Sequence, residues 1–316
     1  MNKNILILIC GTGSTGQRHS KNLINLGFKN LIFFKQTKKS KPNWIKKFKI
    51  YTNINSALKQ KPKVTFICNV TSKHLKYALI CARAKSHLFV EKPLSNKIQG
   101  LNKLNKILKK NKLKLMVGYM MRFHPLIIKI KKLLKKKYLG NIFYVRSIWS
   151  EYLPDWHPQE NFKKSYASLK KLGGGSALTL SHEIDLIKWY FGKIDKISTY
   201  NSFNSKLKID AEFSTNHQIK FKNGIIAQIH LDFMQKPYER KLEILGDKRK
   251  LLFNYYENQI LITDRKGNVK KIIEKKFDRN KMFIDEIKKF FECINKNLKI
   301  ESDIVNSIEI IKKIKE

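Results

Sequence analysis

Short apolar runs alternate with helical periods through the first third of the chain. Ile5–Cys10 reads as a strand of buried length, Arg18–Leu26 as a helix closed by Gly27, and Leu31–Phe34 as a second strand. Asn55–Lys59 fits a short helix, Val64–Cys68 a strand, and His74–Ala84 a helix. Leu88–Val90 and Lys114–Gly118 are further strands, with the helix Ile98–Lys110 between them. Apolar strands that each hand over to a helix predict βαβ units and a parallel sheet covered on both faces.

After Tyr119 the pattern changes. A basic amphipathic helix, Pro125–Lys137, stops at Gly140, and Asn141–Ser150 reads as a strand. A polar stretch rich in Tyr, Trp and Pro follows, then one helix from about Ser176 to Phe191, ended by Gly192. From Ile194 to Ile273 strands dominate, with turn signals at Lys222-Asn223-Gly224, Gly246-Asp247 and Lys266-Gly267-Asn268. Met282–Asn295 and Ser302–Lys315 close the chain as helices. The fold class is therefore α/β. The pattern predicts a parallel-sheet α/β domain over residues 1–119 and an α/β domain with a largely antiparallel open sheet over residues 120–316. No flexible linker separates them and no internal repeat is present.

Composition narrows the class. The chain has 316 residues and a hydrophobic share of 42%, ordinary for a globular protein of two cores. No apolar run has bilayer-spanning length, and Met1–Asn4 leads directly into the first strand rather than into a signal peptide. Cys10, Cys68, Cys81 and Cys293 lie far apart, without a CxxC pair or zinc spacing. They read as reduced thiols of a cytoplasmic protein, and no metal site is expected. The formal charge of +42 raises a nucleic-acid reading. Only 8 of the 66 basic residues are arginine, however, and the lysines are spread along the whole chain. A surface that reads phosphates and bases would use the bidentate guanidinium more often. The charge instead predicts salt-sensitive attraction to small anions, including phosphorylated cofactors and sugar nucleotides.

Three segments carry chemistry. Gly11-Thr12-Gly13-Ser14-Thr15-Gly16 fits GxGxxG between a strand and a helix. There Gly11 permits the tight turn, Gly13 the approach of a pyrophosphate, and Gly16 the helix–strand contact, while Ser14 and Thr15 open the helix whose N–H groups face the phosphates. No carboxylate stands at the end of the second strand to hold the ribose of NAD. Lys35, Lys38, Thr37 and Ser40 stand there instead, as a 2′-phosphate site that favours NADP over NAD, or simply as solvated loop residues. Glu91-Lys92-Pro93 follows a strand at the carboxyl edge of the sheet, where open α/β sheets bind ligands. A lysine projecting from that edge can polarise a substrate oxygen. Gly173-Gly174-Gly175 precedes a helix on which Thr179, His182 and Asp185 fall at i, i+3 and i+6. A hydroxyl and a carboxylate flanking His182 would set its tautomer and raise its basicity. A lone helical histidine is otherwise a satisfied core residue.

The order of GxGxxG, Glu-Lys-Pro, triple glycine and His-x-x-Asp resembles the Gfo/Idh/MocA family of glucose–fructose oxidoreductase and inositol dehydrogenase relatives, over nearly the whole chain. Thr71-Ser72-Lys73-His74 falls where the family has a Pro-Asn-x-x-His-like turn, and Val117–Pro125 resembles its domain-crossing segment. Asp210-Ala211-Glu212 and Asn223-Gly224 resemble parts of its C-terminal sheet. The resemblance implies a Rossmann domain, a sheet domain whose outer face makes homodimers or homotetramers, and Lys92 and His182 acting at a substrate hydroxyl. It adds Thr71, His74, Glu91 and Lys92 to the cofactor-binding residues and Arg122 to the substrate residues. One departure stands out: Thr179 lies where the family often has an aspartate, and its spacing to the histidine is one residue short. Glu151–Pro158, with Ser165-Tyr166, resembles members associated with bacterial surface-glycan sugars. Asp155, Trp156 and His157 would there contact a sugar, or Trp156 would anchor the loop.

The expected activity is reversible, NAD(P)-dependent oxidation of a secondary alcohol on a sugar or sugar nucleotide, without specific nucleic-acid or membrane partners. Two rivals are a non-catalytic NAD(P)-sensing protein of the same fold and a nucleic-acid-binding protein.

Overall fold

The computed structural model describes residues 2–36, 43–203 and 206–315. They divide into two compact units, Met1–Tyr119 with Phe283–Lys312, and Met120–Met282 with the residues from Lys313 on.

The first unit is built on six parallel strands. They are β1 (Ile7–Cys10), β2 (Leu31–Phe34), β3 (Lys49–Tyr51), β4 (Val64–Ile67), β5 (His87–Glu91) and β6 (Leu115–Gly118), in the order β3-β2-β1-β4-β5-β6. The helices α1 (Ser14–Asn25), α2 (Ile54–Leu58), α3 (Thr71–Arg83) and α4 (Leu101–Lys110) connect them. This is the doubly wound arrangement expected from the alternating pattern, and its order reverses between β1 and β4. Side chains along β1 alternate between the two faces. Leu8 and Cys10 join Ile67, Val90 and Val117 against Ala78 and Ala82 of α3 and Leu104 of α4. Ile7 and Ile9 join Phe66 and Phe89 against Leu23 of α1. The three-residue β3, at the sheet edge, was not expected: Lys49-Ile50-Tyr51 is too short and too exposed to show a period.

The second unit holds α5 (Pro125–Lys135), β7 (Ile142–Ser150), α6 (Ser176–Thr179), α7 (His182–Phe191) and β8 (Ile194–Ser202). It continues with β9 (Ser214–Phe221), β10 (Ile226–Asp232), β11 (Glu239–Gly246), β12 (Arg249–Asn254), β13 (Gln259–Asp264) and β14 (Val269–Ile273). Its eight strands run β14-β13-β12-β11-β7-β10-β9-β8. Neighbours are antiparallel except β7 and β10, which run parallel from Ile226 opposite Tyr144 to Asp232 opposite Ser150. Val145, Ser147 and Trp149 of β7 are buried, and the residues between them are more open. The largely antiparallel sheet is as expected.

Two expectations are corrected. The single helix from Ser176 to Phe191 is two helices, interrupted at Leu180 and Ser181. The Leu180 amide still reaches back four residues to Ser176, but the Glu183 amide reaches only three, to Leu180. Hydroxyl side chains compete with helical hydrogen bonding, and the Ser176 hydroxyl is bonded to Thr215 of β9. The second correction concerns the closing helices, α8 (Arg279–Asn295) and α9 (Ile304–Lys315). Residues 283–312 belong to the first unit, not to a domain running from 120 to 316. Ile287, Phe290 and Phe291 of α8 enter the core with Ile7 and Ile9, whereas Ile304 and Ile311 of α9 enter the opposite core with Leu8. Burying a large apolar side chain contributes about 1.5–3 kcal/mol. The three α8 residues alone therefore contribute on the order of 5–9 kcal/mol, comparable with the net stability of a whole domain.

Candidate functional site

The glycine turn leaves β1 at the point where the strand order reverses. Gly11 has φ +104°, and a Cβ there would lie 2.7 Å from the Cys68 carbonyl at the end of β4. A Cβ at Gly16 would stand 2.1 Å from the Gly11 oxygen, so α1 packs directly on the turn. Gly13 differs. It is exposed, and a Cβ there would meet nothing within 4 Å. Gly13 caps α1 without a side-chain hydrogen bond, so the first N–H groups, at Ser14 and Thr15, open onto that space. Steric need within the protein explains Gly11 and Gly16. At Gly13 the gap suits an outside group brought close to the backbone, and a pyrophosphate on a helix N-terminus fits it. The residues present thus fit a dinucleotide.

Lys35 follows β2, and its amide donates to the Tyr51 carbonyl at 2.9 Å. Gln36 comes next, so no carboxylate immediately follows the strand. Thr37, Lys38 and Ser40 lie outside the described residues.

Glu91 ends β5, and the Lys92–Pro93 peptide is cis. The Glu91 carboxylate is fixed on two sides. His19 Nε2 lies 2.6 Å from Oε1, and the Lys92 amide donates to Oε2 at 3.3 Å. Burial pushes the Glu91 pKa up, but the His19 hydrogen bond, with the charges of His19 and Lys92, outweighs it and leaves the carboxyl below its usual range. His74 of α3 braces the same turn. Its Nδ1 lies 2.8 Å from the Pro93 oxygen and its Nε2 2.8 Å from the Asn69 oxygen. Burial holds this imidazole below the ordinary histidine range, against the partial help of those carbonyls. Both ring nitrogens face protein carbonyls, so His74 braces the Lys92 turn. Thr71 opens α3 and is buried.

In the second unit His182 begins α7 and is 2% exposed. Its ring is tilted at 37° against Trp149, 5.9 Å between centroids. Gly174 and Gly175 are required upstream. A Cβ at Gly174 would lie 2.3 Å from the Tyr166 oxygen, and one at Gly175, at φ +100°, 2.0 Å from the Glu212 carboxylate. Thr179, also buried, ends α6. The break after it places Thr179 on a separate helix from His182 and Asp185.

Asp185 and Arg122 hold each other. Arg122 donates from Nε to Oδ2 at 2.8 Å and from NH2 to Oδ1 at 2.6 Å, with both side chains almost fully buried. Asp185 was expected to tune His182, and Arg122 to bind substrate. The bidentate pair ties the segment before α5 to α7. A second buried pair joins Arg240 of β11 to Glu183, next to His182, and the Ser147 hydroxyl donates to the other Glu183 oxygen at 2.7 Å. The Arg240 guanidinium lies 3.8 Å over the Trp149 ring. None of Glu183, Arg240, Trp149 or His19 was singled out from sequence. A signal did exist for Arg240: in a chain that writes nearly all its cations as lysine, a retained arginine marks a place where the planar fork is needed.

The aromatic and acidic loop is partly committed. Asp155 is bonded to Lys236 at 2.6 Å and to the Tyr238 hydroxyl at 2.9 Å, and Lys236 lowers its pKa. Trp156 meets Phe233 edge-on at 5.5 Å, which supports its role as a loop anchor. His157 is exposed. Among the described residues no three His, Cys, Asp or Glu side chains come together so as to hold a metal ion, and no helix is long and apolar enough to cross a membrane.

Comparison with known proteins follows the same division. Residues 5–119 match an oxidoreductase family with an NAD-binding Rossmann fold, and residues 127–252 match the GFO/IDH/MocA C-terminal domain. A myo-inositol 2-dehydrogenase of Thermotoga maritima is 22% identical over 281 residues, covering 82% of this chain and 78% of that one. An oxidoreductase of Formosa agariphila is 22% identical over 200 residues, 63% of this chain. That match spans 61% of the relative's own length, under two thirds. Among solved structures, a levoglucosan dehydrogenase in complex with NADH and levoglucosan superposes with a TM-score of 0.87 at 15% identity, covering 99% of this chain and 95% of that one.

Proposed function

The chain belongs to the Gfo/Idh/MocA family of NAD-binding oxidoreductases, and from that premise we propose that it is an NAD(P)-dependent dehydrogenase acting on a secondary alcohol of a sugar, a related cyclic polyol or a sugar nucleotide. The observation that carries this reading is the open Gly13 at the α1 N-terminus, set on the same sheet edge as a Lys92 turn braced by His19, Glu91 and His74. The bound dinucleotide supplies the hydride acceptor, or the donor in reverse. The turn from Gly11 to Gly16 binds its pyrophosphate. Lys92 polarises the substrate oxygen, and His182 accepts the hydroxyl proton and returns it in the reverse direction. The inositol and levoglucosan relatives support a polyol as the substrate class.

Lys35, with no carboxylate immediately after β2, supports NADP as the preferred cofactor. A cytoplasmic setting suits the free thiols of Cys10, Cys68, Cys81 and Cys293. A homo-oligomer would use the half-exposed sheet surface of Arg146, Ile148, Lys241 and Glu243, whose mixed charge is self-complementary.

The test is nucleotide reduction across a panel of inositols, sugars and sugar nucleotides, with wild type, Lys92→Ala and His182→Ala. Each variant should lose roughly 10²–10⁴ in turnover while keeping its NADP affinity. Near wild-type turnover in both variants would falsify the roles. Tight nucleotide binding with no hydride exchange from any alcohol would favour the sensing rival.

A further inference from the structure

We propose that His19 is a positioning residue, coupling occupancy of the glycine turn to the placement of Lys92, an inference that rests on Lys92 acting at the substrate. His19 lies on α1, five residues beyond Ser14. At 1.5 Å per residue it is about 7–8 Å along a rigid helix from the N–H groups that would meet the pyrophosphate. Its side chain is wholly buried and its Nε2–H donates to Glu91 Oε1 at 2.6 Å. The other Glu91 oxygen accepts the Lys92 amide. One carboxylate therefore links α1 to the backbone that carries the Lys92 amine.

The surroundings make this link stiff. The His19 ring is boxed by Phe66, Phe89 and Phe283, with centroids 5.5, 5.1 and 6.1 Å away. On the far side a Cβ at Gly118 would already touch the Glu91 carboxylate at 3.4 Å, so the carboxylate has little room to swing. Among three phenylalanines an apolar residue at position 19 would pack as well and would spare the desolvation of a polar side chain. What the imidazole adds is the bond to Glu91. A displacement of α1 on binding an anion at its N-terminus passes through that bond to residues 91 and 92, and His74 holds Pro93 as the fixed point on the other side.

Hydrogen–deuterium exchange of the full-length protein, with and without NADP⁺, reads the coupling without requiring turnover. In wild type, NADP⁺ should slow exchange in the peptides covering 11–17 and 89–96, each by about tenfold. In His19→Leu the protection at 11–17 should persist and that at 89–96 should vanish, with kcat down about tenfold or more and the KM for nucleotide unchanged. His19→Gln, whose amide can donate to the same carboxylate, should restore most of both. Should His19→Leu fail to fold, His19→Met, which also lacks a donor and packs more adaptably, replaces it in the comparison with the same expected pattern. Wild-type protection at 89–96 in the leucine variant, or a glutamine variant as impaired as leucine, overturns the proposal. Linked protection in a protein that oxidises no alcohol would sink the dehydrogenase reading and leave the coupling intact. Protection confined to 11–17 in wild type would do the reverse.

Discussion

Acid should unfold this protein through two histidines of the second unit. His124 and His217 are both wholly buried. His124 Nδ1 accepts the Leu126 amide and so caps α5 as an unprotonated nitrogen. Burial, then the charge of Arg240, lowers its pKa to about 3. Burial lowers His217, which is bonded to the Thr199 hydroxyl, to about 4. Once the chain unfolds, both return to the ordinary value of 6.5. Below that pH the unfolded chain takes up protons that the folded protein refuses, so stability falls as pH falls. Above it neither residue contributes, and below the folded values the loss is complete. At pH 5 each histidine costs about 2 kcal/mol, or about 4 kcal/mol together. That is a large part of the 5–15 kcal/mol typical of a domain. Urea unfolding followed by tryptophan fluorescence reports mainly on this unit, which holds Trp149, Trp156 and Trp189. His124→Asn keeps a good helix cap and removes the titration. Between pH 7.5 and pH 5 the wild type should lose about 2 kcal/mol more than the variant. Equal losses in the two proteins would show that His124 is not held neutral by its burial.

Two further outcomes follow from the packing. Gly16→Ala places a methyl 2.1 Å from the Gly11 oxygen, so α1 must retreat by about 1 Å. The dinucleotide dissociation constant should rise at least about 100-fold, and an unchanged fluorescence titration with NADH and NADPH would contradict the assigned turn. Asp185→Asn leaves the Arg122 guanidinium buried without its counter-charge and should destabilise by about 3–5 kcal/mol. A loss below about 1 kcal/mol in chemical denaturation would mean that the pair is not structural.

The first unit was legible because parallel strands buried on both faces must be apolar throughout. Leu31–Phe34 stood out for that reason, with the bounds the structure has. The glycine turn was legible because its three glycines have separate steric reasons, two of which the structure bears out at Gly11 and Gly16. The relations around the site were hidden. The Arg122–Asp185 pair spans 63 residues and His19–Glu91 spans 72, so no local spacing announces either. The interruption after Thr179 was hidden because no proline or glycine marks it; a shift in the hydrogen-bond ladder is a tertiary event. The fate of the chain end was hidden as well, since an amphipathic period shows that a helix needs a partner and not which partner it has.

That last point bears on biosynthesis. Residues 1–119 leave the ribosome before residues 283–312, and hold the strands of the parallel sheet without the hydrophobic cover that the later residues bring to each of its faces. At about 5–20 residues per second, roughly 10–40 s of translation separate Tyr119 from that cover. A nascent nucleotide-binding unit is thus left waiting with Phe66 and Phe89 short of neighbours. Cleavage of the chain before residue 283 should therefore be felt first in the unit that holds residues 1–119.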